Sequence, residues 1–177
     1  FNWNTDWNGD CGGWMGLMYN LMFTRFLDSR IWYGMVDVGA MTDNTRASGC
    51  GVNPISVSGG FVGTGNRRGA EIAAQEVGHN LRLSHAPGCD AGSPDPNYPR
   101  PNGLIDEYGL DVLRQQLYLP DSSYDFMGYC GGENDTWVSR YTYMGLLPHL
   151  PAGYGALPTP LKVAAASDPE PGQPVLV

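Results

Sequence analysis

The strongest constraint on the fold lies between residues 69 and 81, where apolar side chains recur at helical spacing. This pattern predicts an amphipathic helix over 69–81, with one face packed against a hydrophobic core. The residues that share this face are Ile72, Ala73, Val77 and Leu81.

This predicted helix ends beside two of the chain's three histidines, His79 and His85. Gln75 and His79 lie four residues apart, so a helix projects their side chains next to each other. A chain that leaves the helix near residue 82 and folds back would bring His85 to the same point, with Glu76 alongside. Imidazole nitrogens beside a carboxylate suit a three-ligand metal site with one open position. The alternative is a pair of ordinary core histidines, which the coincidence of both with Glu76 disfavours.

The rest of the chain mixes helical and strand patterns, which predicts an α+β fold with a small twisted sheet. The Gly59-Gly60 pair follows β-forming residues and predicts a turn at the end of a strand. A long loop over 86–103, rich in Pro, Gly and Asp, is typical of a functional segment or one held by a cross-link or an ion. The other predicted elements are helices over 14–28 and 137–150, strands over 31–38 and 52–62, and a polar loop over 39–50.

Length and charge limit the domain organisation and the partners. Of the 177 residues, we expect 1–150 to form one domain and the proline-rich segment 151–177 to be a linker to further domains of the same chain. A net charge of −8 argues against a nucleic-acid partner, because phosphate binding needs a basic surface. The most apolar run, 14–27, is too short to cross a bilayer, so no membrane span is expected.

The four cysteines are widely spaced and form no CxxC pair, which disfavours a zinc ribbon or a thioredoxin-like motif. An even number of such cysteines favours two disulfides and an oxidising compartment. Four buried thiols in a cytosolic protein remain the alternative. The positions are Cys11, Cys50, Cys89 and Cys130.

Four strings between residues 75 and 147 resemble one protein family. QEVGHNLRLSH over 75–85 resembles the metzincin zinc-protease signature HExxHxxGxxH, and YDFMGYC over 124–130 resembles the metzincin Met-turn. SHAPGC over 84–89 and WVSRYTYMGLL over 137–147 agree with this similarity. Together they are similar to secreted bacterial metzincins of the reprolysin-like and mucin-degrading type. The detailed resemblance covers about residues 69–150, and the similarity at the level of the fold extends to about residue 14.

The resemblance implies a metzincin-like catalytic domain that hydrolyses peptide bonds of extracellular proteins or glycoproteins, with Zn²⁺ as cofactor. The substrate would lie in a cleft as an extended peptide, paired with the edge of the sheet. Each matched residue then has an implied role. Gln75, His79 and His85 occupy the three metal positions, and Glu76 is the general base that activates the attacking water. Met127 is the apolar floor of the site. Tyr129 is either a hydroxyl that assists the transition state or a core tyrosine.

Two positions depart from the family signature. Gln75 replaces its first histidine, and zinc prefers imidazole nitrogen to an amide oxygen. Arg82 replaces its glycine, which costs on the order of 1–2 kcal/mol if the left-handed turn is kept. A catalytically inactive pseudoprotease that serves as a binding or structural subunit is therefore the main alternative. A metal-free hydrolase that uses Ser84 with His85 is a weaker one, because adjacent residues rarely orient as nucleophile and base.

Once the ligand positions and the Met-turn are assigned by resemblance, a Cys89–Cys130 bridge would hold both sides of the site. The remaining pair would be Cys11–Cys50.

The acidic loop offers a Ca²⁺ site as a further expectation, although it lacks EF-hand spacing and a solvated loop is favoured. The third histidine, His149, is expected to be an ordinary residue at a helix end. The acidic-loop residues are Asp90, Asp95, Asn97, Asn102 and Asp106.

Overall fold

The computed structural model describes residues 11–37, 48–52, 56–62, 68–132 and 134–150. Its fold is α+β, as predicted, with three α-helices and three small sheets in this part of the chain. The helices are α1 (Cys11–Thr24), α2 (Arg68–Asn80) and α3 (Arg140–Leu146), and the strands are β1 (Trp32–Asp37), β2 (Gly49–Val52), β3 (Val57–Val62), β4 (Gly109–Asp111), β5 (Gln116–Tyr118), β6 (Tyr124–Asp125) and β7 (Thr136–Trp137).

The largest sheet has the strand order β1-β3-β2, with β1 parallel and β2 antiparallel to β3. A hydrophobic core fills the space between this sheet and α1, because Trp14 and Met18 of α1 pack against Val57 and Phe61 of β3. The Trp14 and Phe61 rings meet edge to face, with their centroids 5.0 Å apart. Helix α2 packs against the same sheet and carries the candidate site.

The predicted turn at Gly59-Gly60 is wrong, because both glycines lie inside β3. A Cβ atom on Gly59 would stand 2.8 Å from Cε of Met18, and one on Gly60 would stand 2.6 Å from Cγ2 of Ile72. The two glycines therefore let α1 and α2 approach opposite faces of the central strand. Close approach of a neighbouring element is a recognised reason for glycine within a strand.

The other predicted elements are present with shifted bounds. The helix predicted over 69–81 is α2, and the one predicted over 14–28 begins and ends earlier, as α1. The helix predicted over 137–150 is shorter, because α3 ends at Leu146 and a 3₁₀ turn, Leu147–His149, follows it. The strand predicted over 52–62 begins at the last residue of β2 and contains β3, and β2 itself begins inside the loop predicted over 39–50.

Two disulfides connect the elements around α2, and the described residues contain no free cysteine. Cys11–Cys50 joins the start of α1 to β2, and Cys89–Cys130 joins the loop after His85 to the segment after Met127. Both predicted pairings are confirmed. The linker predicted over 151–177 lies outside the described residues, and no helix among the described residues has the length and apolarity needed to cross a bilayer.

Candidate metal centre

Two imidazole rings meet at the end of α2. The Nε2 atoms of His79 and His85 lie 3.0 Å apart, and the rings are nearly perpendicular with centroids 4.5 Å apart. His79 stands in the last turn of the helix, and the chain then folds back over residues 81–84 to bring His85 beside it. The structure therefore places the two histidines at one point.

The opposite nitrogen of each ring faces a backbone carbonyl. Nδ1 of His79 lies 2.9 Å from the oxygen of Leu83, and Nδ1 of His85 lies 2.5 Å from the oxygen of Gly92. A carbonyl oxygen only accepts, so both Nδ1 atoms carry the proton and donate it. In the neutral rings, both Nε2 lone pairs then face the same point. Burial lowers the pKa of His79, against the opposing effect of the Leu83 carbonyl, and so favours its neutral form.

Glu76 is the buried carboxylate of the site, only 8% exposed. It accepts a hydrogen bond from the backbone N–H of Gly51, and burial raises its pKa to about 7 despite that bond. Strand β2 approaches Glu76 and His79 closely because Gly49 and Gly51 have no side chains. A Cβ atom on Gly49 would stand 2.8 Å from the Glu76 carboxylate, and one on Gly51 would stand 3.1 Å from Cβ of His79.

Met127 lies buried beneath the last turns of α2, with 1% of its surface exposed. Its sulfur packs on Gly78, the residue before His79. The backbone N–H of Gly128 donates to the carbonyl of Asp125 at 2.9 Å, which closes a 1,4-turn with Met127 inside it. The thioether of this turn therefore packs against the segment that bears the imidazoles.

Tyr129 reaches the same point from the segment after this turn. Its hydroxyl lies 3.3 Å from Nε2 of His85, and the side chain is half exposed. Partial burial and the negative charge of Glu76 raise the pKa of its phenol. Tyr129 is therefore a protonated hydroxyl at the site and not a core residue.

Gln75 and Ser84 line the same cavity as the histidines, and neither side chain forms a hydrogen bond with His85. Gln75 lines the same cavity of about 790 Å³ as the histidines and Glu76, and no hydrogen bond joins its amide to either imidazole. Ser84 is exposed and lies outside hydrogen-bond contact with His85, whose Nδ1 faces Gly92 and whose Nε2 faces His79 and Tyr129. The geometry gives Ser84 no base, so the Ser84–His85 hydrolase is set aside.

Arg82 stands in the left-handed region with φ = 69°, at the position where the signature has glycine. The turn between the two histidines is therefore kept, and a side chain with a Cβ atom occupies it at a conformational cost. Its long side chain is exposed at the rim of the cavity.

We expect Arg82→Gly to raise the free energy of unfolding by about 0.5–1 kcal/mol, because relief of the left-handed strain exceeds the extra chain entropy of glycine. Urea denaturation measures the difference. Ala74→Gly on the exposed side of α2 is the matched control and should lower stability by about 1 kcal/mol. A lower midpoint for Arg82→Gly would contradict the assignment of strain.

In the described ranges, no three His, Cys, Asp or Glu side chains come together in a group that could hold a metal ion. Two imidazoles therefore meet at this point, and Gln75 lines the same cavity without a hydrogen bond to either of them. In the acidic loop, Asp95 accepts from the Tyr141 hydroxyl and Asp106 accepts from the backbone N–H of Arg140. His149 is exposed in the 3₁₀ turn after α3, away from the other two histidines.

Several contributors to the site are not apparent from the sequence. The carbonyls of Leu83 and Gly92 orient the rings, and any residue type has a carbonyl. Asp125 is completely buried and accepts from the backbone N–H groups of Met127 and Ser139, at 2.8 Å each. The one signal available in the sequence is an aspartate inside the Met-turn string, two residues before Met127.

The chemically distinctive feature of this molecule is the set formed by two facing imidazole lone pairs, a buried carboxylate and a phenol, with a thioether packed against Gly78 of the same helix. The chain supplies these groups from α2, the loop after it and the turn around Met127. No protein-family model, no curated protein and no solved structure matches the chain.

Proposed function

We propose that this domain is a zinc-dependent endopeptidase of the metzincin type. The observation that carries the proposal is the 3.0 Å separation of the two Nε2 atoms, with each Nδ1 committed to a backbone carbonyl. Two lone pairs that face each other at this distance repel unless a proton or a metal ion lies near both. The pair is therefore built to hold a cation.

The donor set fits zinc. Imidazole nitrogens bind Zn²⁺ at about 2.0–2.1 Å, so two nitrogens on one tetrahedral ion lie about 3.3–3.4 Å apart. The observed 3.0 Å is within a few tenths of an ångström of this spacing. Metal-binding histidines usually donate their other N–H to a carbonyl or a carboxylate, as both rings do here. His79 and His85 would hold the ion, with Gln75 as a weak third ligand.

Zinc held there by His79 and His85 would supply Lewis-acid polarisation of a scissile carbonyl and would stabilise negative charge on its oxygen. Glu76 is the base that takes a proton from the attacking water and delivers it to the departing amine. The Tyr129 hydroxyl, which reaches Nε2 of His85, can donate a hydrogen bond to the oxygen on which charge develops. Met127, which is buried against Gly78, supports the helical turn that bears His79.

The substrate in this proposal is an extended peptide laid along β2. This strand is at the edge of the sheet, antiparallel to β3, and its glycines flank Glu76. A peptide added to this edge would pass the cavity that contains both histidines. The two disulfides favour an oxidising, extracellular location, and the resemblance of the motifs favours a bacterial source.

A pseudoprotease that serves as a binding or structural subunit is the second candidate. The amide at position 75 favours it, because the described residues provide only two imidazoles and no third His, Cys, Asp or Glu at the centre. Under this hypothesis the cleft along β2 still accepts a peptide, and hydrolysis is lost.

Zinc titration of the wild-type protein and of Gln75→His tests the proposal. We expect Gln75→His to raise the affinity for Zn²⁺ at least about tenfold, because imidazole is the better ligand. Cleavage of a casein-type protein substrate should rise with it, most of all when Arg82→Gly is added. The matched control is Gln115→His, the same substitution in the exposed turn between β4 and β5.

Each outcome decides between the hypotheses. Loss of zinc binding in His79→Ala and in His85→Ala supports the metal centre. Equal affinity in the wild type, in these two variants and in Gln75→His refutes it. Tight zinc binding by Gln75→His and Gln75→His/Arg82→Gly without any cleavage favours the pseudoprotease.

A further inference from the structure

The chain that follows His85 closes on itself. The backbone N–H of Asp95 donates to the carbonyl of His85 at 2.8 Å, and Nδ1 of His85 donates to the carbonyl of Gly92 in the same loop. Residues 85 and 94 also form an isolated β-bridge. Both the main chain and the ring of His85 are therefore held by the returning segment 92–95.

The returning segment is held by a residue on α3. The hydroxyl of Tyr141 donates to one carboxylate oxygen of Asp95 at 2.9 Å. The other carboxylate oxygen accepts the backbone N–H of Asn97 at 2.9 Å, which fixes the carboxylate within its own turn. The half-buried ring of Tyr141 also meets the ring of Tyr98 edge to face, with centroids 5.3 Å apart. A side chain on α3 is thus linked through Asp95 to the backbone of His85.

We propose that Tyr141 and Asp95 are positioning residues that hold the imidazole of His85 in its place opposite His79. This inference rests on the proposed metal centre and adds two residues that lie outside the zinc-protease signature. Neither touches the reacting atoms, and both act through His85. We call this chain of contacts the relay. It runs from the hydroxyl of Tyr141 to the carboxylate of Asp95, and from the backbone N–H of Asp95 to the carbonyl of His85.

The energetic consequence follows from how ligands are oriented. Residues that directly orient a metal ligand change metal affinity about 10–100-fold when mutated. The Asp95 carboxylate acts on His85 through its own main chain, and Tyr141 is one contact farther out, so changes at or below the lower end of this range are expected. Because Tyr141 acts only through Asp95 in this relay, its removal should add nothing once the Asp95 carboxylate is gone.

The experiment compares Tyr141→Phe, Asp95→Ala and the double variant in titrations with Zn²⁺ and with Co²⁺. We expect affinity to fall about three- to tenfold in Tyr141→Phe and about tenfold in Asp95→Ala. The double variant should match Asp95→Ala, and the Co²⁺ absorption spectrum should broaden. Tyr143→Phe, on the exposed side of the same helix, is the matched control and should leave affinity and spectrum unchanged.

A second measurement uses the metal-free protein, which separates failure of this inference from failure of the proposed function. Amide hydrogen exchange at Asp95 should be at least about tenfold faster in Tyr141→Phe than in Tyr143→Phe, since its hydrogen bond to His85 opens more often. Unchanged exchange, or additive losses of affinity in the double variant, would overturn the relay. If the wild type binds neither metal while exchange responds as expected, the metal centre is refuted and the positioning of His85 stands.

Discussion

Replacing Cys89 and Cys130 together by alanine should lower the free energy of unfolding by about 4 kcal/mol. The two residues are 41 positions apart, and the loss reflects the larger entropy of an unfolded chain without this closed loop. Urea denaturation at a fixed pH measures the change. A loss below about 1 kcal/mol would show that the unfolded chain is not restrained in this way.

The Cys11–Cys50 bridge provides a control of matched loop length, with a separation of 39 positions. Its removal should cost a similar entropy term plus the loss of a buried sulfur atom, since Cys50 belongs to the core. Only the Cys89–Cys130 bridge joins the loop that carries the Gly92 carbonyl to the residue after Tyr129. We therefore expect only its removal to weaken zinc binding when both variants are measured under folded conditions.

Asp125→Ala should lower the free energy of unfolding by about 3–5 kcal/mol, because two buried backbone N–H groups lose their acceptor. The side chain of Asp125 is fully buried and accepts from Met127 on one oxygen and from Ser139 on the other. These bonds join the turn beneath the histidines to the N-cap of α3. Thermal and urea denaturation both report the loss.

Asp121→Ala is the control for Asp125→Ala. Its side chain is 90% exposed and pairs with Arg100 at 2.6 Å, so its removal should cost less than about 1 kcal/mol. Asp125→Asn keeps an oxygen for one of the two N–H groups and should fall between the two alanine variants. Equal stability of Asp125→Ala and Asp121→Ala would show that the buried carboxylate does not organise the turn.

Local sequence patterns predict those helices and strands that are specified by residues close together in the sequence. The helix α2 was predicted within one residue at each end, because apolar spacing alone specifies it. The Gly59-Gly60 pair was misassigned to a turn because its reason is not local. The glycines make room for Met18 and Ile72, which belong to helices on either side of the strand. Only knowledge of what packs against a strand reveals such a requirement.

The candidate site likewise has some features that depend on nearby residues and others that depend on residues far apart in the sequence. The spacing of His79 and His85 is a property of one short segment, whereas the left-handed turn at Arg82 is expected only from the glycine of the family signature that this segment resembles. The orienting carbonyls and the Tyr141–Asp95 bond depend on a loop that returns over ten residues. No single-sequence pattern specifies that return, so these contacts came only from the structure.

Gly78 and Met127 are 49 positions apart in the sequence, yet they share one volume. A Cβ atom on Gly78 would lie 3.3 Å from Cε of Met127 and closer still to its sulfur. Any residue larger than glycine at 78 requires the buried Met127 side chain to move, because the two positions occupy adjoining space. Divergent descendants of this domain should change the two positions as a pair, and a redesign of the last turn of α2 has to begin with both.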